Sequence, residues 1–144
     1  MDVSELRRGI LRALEEARKD AATRRASFDE AGQAYEAFLR DVAVPLFRQA
    51  AIVLKAEGQL YSVHTPAGSV RLASDGAPET FVELELDSSG RSPQVLGRVS
   101  LARGRRGHVV DEAPLGEGTA VSELTERDVS EYLLRAIPKL VVKS

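Results

Sequence analysis

A chain of 144 residues, 43% hydrophobic and 29% charged, fits one domain large enough to bury a core without cross-links. It contains no cysteine, which excludes a disulfide framework and any Cys-based zinc site. The formal charge of −2 gives no global attraction to nucleic acid, and no apolar run approaches the ~20 residues of a membrane span.

The first residues, MDVSELRRGILRALEEARKD, carry charge throughout and lack the apolar centre of a secretory signal, so a soluble cytoplasmic protein is expected. Residues 1–57 read as a helical arm. Asp2 and Glu5 form a capping box, and good helix formers dominate from Ile10 to Val44, interrupted only by Gly32. Leu6, Ile10, Ala13 and Ala17 follow one another at steps of four and three. After one extra step of four, Ala21, Arg24, Phe28, Ala31, Tyr35, Phe38 and Val42 resume that pattern. Such spacing keeps a single stripe facing a partner helix, and the extra step is a coiled-coil stutter.

Two readings of the arm stand side by side. Ser27-Phe28-Asp29-Glu30 resembles a second capping box, which would make residues 4–26 and 28–44 an antiparallel pair. A continuous helix over residues 4–57 would extend roughly 80 Å, against a radius of gyration of ~15 Å for a compact domain. Its stripe would then need covering by another chain. The phase survives Ser27, which favours continuity. Pro45 should kink or break the helix. Leu46, Ala50, Val53 and Leu54 continue an apolar face, and Gly58 is a natural C-terminal cap.

The period then changes from helical to two, and residues 58–111 read as an antiparallel sheet of four or five strands. Leu60–Thr65 and Ser69–Ala73 flank the turn Pro66-Ala67-Gly68. In Thr80–Asp87, Val82, Leu84 and Leu86 alternate with Glu83, Glu85 and Asp87. Gln94–Arg103 follows, with Val95, Val99 and Leu101 on one face, and Gly104-Arg105-Arg106-Gly107 turns the chain into His108–Asp111. Residues 112–122 are a connector. In residues 123–144, Thr125 and Asp128 cap a last helix, with Leu124 placed to staple against Val129 and Pro138 to end it. The fold class is α+β: a long N-terminal helical arm, an antiparallel meander and a C-terminal helix covering its apolar face, in a single domain.

Charge switches sign within the sheet. Residues 75–87 hold five acids, whereas residues 88–110 hold five arginines and no acid. Pairing about the 88–93 turn would set Glu83 or Glu85 opposite Arg98, an exposed ion pair of a routine kind. Arg105 and Arg106 sit at a turn tip with no strand opposite. With Arg103 and His108 they form a candidate partner-binding finger, although a solvated turn is the more common explanation. No aromatic lies between Phe81 and Tyr132, so the hairpin lacks a base-stacking platform and could grip nucleic acid by charge alone. The sixteen arginines against four lysines follow from base composition as readily as from function.

Positive signs of catalysis are lacking. His64 and His108 lie in different hairpins without metal-like spacing, and no Gly-x-Ser-x-Gly elbow occurs. Gly116-Glu117-Gly118 lacks the lysine and the strand–helix setting of a phosphate loop. Glu83 and Glu85 should sit exposed beside arginines, which suits neither a general acid nor a base. No cofactor, metal or catalytic residue is expected.

The remaining candidate is the seam Leu6, Ile10, Ala17, Phe28, Tyr35 and Phe38, which could pack on the chain's own sheet or seat a second copy. Arg24 inside it calls for either a register-setting polar contact or an exposed stretch there. The expected function is a non-catalytic interaction or assembly module, homo-oligomeric through the N-terminal helices, with an unidentified protein partner. The alternative is a charge-driven nucleic-acid binder using the hairpin around Arg103–Arg106.

Overall fold

The computed structural model describes residues 2–141. Helix α1 (Val3–Phe38) passes into a π-helical turn (Leu39–Ala43) and then helix α2 (Val44–Ala56). Five strands follow: β1 (Tyr61–His64), β2 (Ser69–Ser74), β3 (Phe81–Asp87), β4 (Gln94–Arg103) and β5 (Arg106–Pro114). A single 3-10 turn (Val121–Glu123) leads into helix α3 (Glu126–Val141). Of the apolar run Leu140-Val141-Val142, which its composition suggests is docked, Val142 lies outside the described residues.

Helix α1 starts as its caps dictate: the Glu5 N–H donates to the Asp2 carboxylate at 2.8 Å. It runs unbroken through Ser27, so the antiparallel-pair reading falls and the Ser27–Glu30 signature goes unused. Nor does Pro45 break the rod. The widened turn lets the Val44 N–H reach the Leu39 carbonyl five residues back, and the chain passes Pro45 without asking it for a donor. Helix α2 ends in a Schellman motif, with Gly58 at φ 84°. There the Gly58 N–H bonds Lys55 and the Gln59 N–H bonds Leu54.

The sheet is a pure antiparallel meander in the order β1-β2-β3-β4-β5. Register aligns Leu72, Val82 and Val99 in one row and Val70, Leu84 and Gly97 in the next, all facing the helices. Tyr35, Phe38, Phe47 and Leu54 cover these rows from the N-terminal rod. Val129, Tyr132, Leu133, Ala136 and Leu140 cover them from α3. Each such side chain taken fully out of water contributes about 1.5–3 kcal/mol. Tyr132 needs room to pack this closely, and Gly97 provides it: its missing side chain leaves the space that the phenol ring fills.

Beyond shifts of one residue at the ends of β1, β2 and β3, three boundaries differ from expectation. Strand β5 runs from Arg106 to Pro114 rather than His108 to Asp111, because the turn is only Gly104-Arg105 and Gly104 takes φ 63°. The connector therefore begins after Pro114. A bulge between Val99 and Ser100 leaves Val110 unpaired. Helix α3 opens as expected, with the Thr125 N–H and hydroxyl both donating to Asp128. It then continues through Pro138 to Val141. Pro138 is exposed, so the carbonyl it fails to serve can turn to water, and burial of Leu140 holds the last turn in place.

Candidate functional site

The helical seam divides into two halves with opposite fates. Tyr35 and Phe38 are buried on the chain's own sheet, and Phe28 is half-buried at its margin. The Tyr35 hydroxyl donates to the Gly68 carbonyl at 2.7 Å, tying α1 to the β1–β2 turn. This half of the proposed oligomer seam is thus filled within the chain, which the spacing alone did not distinguish from a contact between chains. The other half is bare. Every residue from Asp2 to Ser27 is exposed, including Leu6, Ile10, Leu11, Leu14 and Ala17. Both halves lie on one face of a continuous helix, so the bare stripe extends the core-facing face past the edge of the sheet.

The outer face of the sheet carries a charge ladder. Register sets His64, Arg71, Glu83, Arg98 and Glu112 in one row across all five strands. Arg71 lies 2.7 Å from Glu83 and stacks 4.1 Å above the Phe81 ring. Arg98 reaches Glu85 at 2.6 Å, Glu112 at 2.8 Å and Glu83 at 3.4 Å. Hydrogen bonds to Glu112 and then Glu85 hold its guanidinium more firmly protonated than usual. Arg98 is therefore engaged by its neighbours, as its place opposite Glu83 implied. Glu83 departs from expectation: only 5% exposed, it is buried between two guanidiniums rather than sitting open beside them. Sequence reading missed Arg71 as its partner because the two residues lie on different strands and meet only once the register is known.

The basic finger has no such compensation. Arg103 and Arg106 are direct cross-strand partners, and His108 lies opposite Leu101 on the same face. Arg103, Arg105, Arg106 and His108 are all exposed, and among the described residues none of the four makes a salt bridge. Two like charges directly opposite destabilise a hairpin. Arg106→Glu is therefore expected to raise stability by ~0.2–1 kcal/mol in a urea titration, while weakening any anion bound there. A fall in stability would mean that the arginine pair is structural.

Two grooves flank α1. One, of about 500 Å³, lies between Ser27, Glu30, Ala31 and Ala34, the β3–β4 turn and the connector. The other, of about 640 Å³, lies beside Tyr35, Arg40 and the β1–β2 turn. Both open broadly to solvent, and their linings bring together no histidine or metal-like cluster. Among the described residues no helix is long and apolar enough to cross a membrane. Comparison with protein families, characterised proteins and solved structures yields no match, so the reading rests on these surfaces.

Proposed function

We propose that this protein is a non-catalytic assembly module that self-associates through its N-terminal helical arm and offers its sheet edge and basic hairpin to a protein partner. One observation carries the reading. The stripe holding Leu6, Ile10, Ala13 and Ala17 continues the core-facing face of α1, yet among the described residues nothing covers it. Helices in water owe most of their stability to packing of an apolar face rather than to propensity. An arm about 36 Å long with such a face bare is best satisfied by a second helix.

Leu6→Glu/Ile10→Glu tests this. The substitutions are exposed in the single chain and should leave its sheet and core intact. Light scattering should show the variant at half the mass of the native protein, with unchanged near-ultraviolet dichroism from the core tyrosines. Equal masses for the two would refute self-association through the arm.

A second reading is favoured by the uncompensated Arg103–Arg106 pair. Local stability is given up there without any internal return, as at a site selected for an anion. A nucleic acid gripped this way would be held by phosphate charge alone. Its affinity for arbitrary duplex would collapse between low and physiological salt and disappear in Arg105→Glu/Arg106→Glu. Binding that is insensitive to salt would point instead to an acidic protein surface recognised by shape.

A further inference from the structure

We infer that the arm pairs antiparallel with the arm of a second copy of this chain, crossing near Ala13; the inference rests on the self-association reading above. Three features of the chain support it. First, the bare stripe shares its helix face with Tyr35 and Phe38, which lie against the chain's own sheet. A parallel partner facing the stripe would continue along α1 into the space already filled by that sheet. An antiparallel partner runs the other way and carries its own sheet off past the far end.

Second, the stripe is graded in size: Val3, Leu6 and Ile10 are large, whereas Ala13, Ala17 and Ala21 are small. Antiparallel pairing about Ala13 and Leu14 sets Leu6 against Ala21 and Ile10 against Ala17, so each of these two large side chains meets an alanine. Parallel pairing would crowd large residues at one end and leave alanines facing alanines at the other. Such unequal layers pack less evenly than interdigitated ones.

Third, the same register accounts for the one charged member of the stripe. Arg24 falls opposite Val3 of the second copy, next in sequence to the carboxylate of Asp2. Asp2 is exposed and its carboxylate already accepts from Glu5 N–H, leaving lone pairs to accept from an arginine as well. By symmetry each dimer makes this contact twice.

Absence of cysteine makes the test clean, since any disulfide must come from an introduced residue. Three single variants of the full chain are needed: Ile10→Cys, Ala13→Cys and Ala17→Cys. In the antiparallel register the two copies of residue 13 are offset by only about 1.5 Å along the axis, whereas the two copies of residue 10 are separated by about 10 Å, as are those of residue 17. Disulfides require Cα atoms within about 7 Å. Mild oxidation should therefore link Ala13→Cys to itself. An equimolar mixture of Ile10→Cys and Ala17→Cys should give predominantly the mixed dimer, with each alone linking far more slowly. Self-linking of Ile10→Cys and Ala17→Cys would overturn the antiparallel arrangement while leaving self-association intact. Failure of all three to link in a protein of dimer mass would place the contact elsewhere and overturn the inference. A monomer mass for the native chain would remove both readings together.

Discussion

Raising the pH beyond 10 should unfold this protein steeply, at up to about 2.7 kcal/mol of stability lost per pH unit. Two phenols, Tyr35 and Tyr132, carry most of this, and burial raises Tyr61 in the same sense. Burial, with the charges of Glu85 and Glu83 adding to it, raises Tyr35 well above the ordinary value of 10.0. Burial, with Asp111 adding to it, raises Tyr132 in the same sense. Both are nearly inaccessible. In the unfolded chain each phenol ionises near pH 10, whereas in the folded chain each keeps its proton to higher pH. Above pH 10 the unfolded state therefore binds fewer protons than the native one, and stability falls as pH rises. Below pH 10 both states keep these protons and the contribution is flat. Chemical melts from pH 8 to 12 would display the break, and Tyr35→Phe should halve the slope. That variant also loses the hydrogen bond to Gly68, which costs about 0.5–1.5 kcal/mol at neutral pH. Tyr132→Phe should halve the slope as well, with little cost at neutral pH. The Tyr132 hydroxyl makes no hydrogen bond to any described residue, so its removal leaves no acceptor stranded. A stability that stays level through pH 11 would contradict the burial of both rings.

Gly97→Ala should be among the most damaging single-atom changes available in this chain. A Cβ at Gly97 would lie 2.5 Å from Tyr132 Cε1 and Oη. The ring cannot retreat, because it is wedged between α3 and the sheet at the centre of the core. Overpacking of this kind costs about 1–3 kcal/mol and sometimes more, here through displacement of α3 from β4. The same substitution has the opposite sign at Gly32. No heavy atom stands within 4 Å of a Cβ there, and the helix gains roughly 0.5–1 kcal/mol from replacing glycine by alanine. Urea titrations of the two variants beside the native protein should move the midpoint in opposite directions. A neutral Gly97→Ala would mean that Tyr132 does not pack over β4.

Much of this architecture is legible in local pattern, and the exceptions have particular causes. Caps at Asp2, Gly58 and Thr125 are chemical signals within a few residues, and all three act as their chemistry implies. The alternation of Val82, Leu84 and Leu86 with acids locates β3 and its covered face for the same reason. Prolines are only half informative, because a proline names the donor that is missing but not the accommodation that follows. At Pro45 a π turn absorbs the loss, and at Pro138 the helix end stays docked through Leu140. Burial of Glu83 was hidden for a different reason: its pairing with Arg71 is fixed by strand register rather than by sequence distance. The seam was half read. Heptad spacing marks an apolar stripe without saying whose surface covers it, and only the position of the sheet separates Tyr35 and Phe38 from Leu6 and Ile10. Of the basic finger only Arg105 lies in the turn: Arg106 sits in β5 directly opposite Arg103, not at a tip without a facing strand, and nothing in these residue types identifies the anion they would meet.

The most direct test of the account is the solution mass of the native chain, measured by sedimentation equilibrium over a range of micromolar concentrations. Twice the 15.6 kDa of one chain, falling toward that value on dilution, is the result predicted when a second copy covers the bare stripe. A mass that stays at 15.6 kDa at every concentration would contradict it.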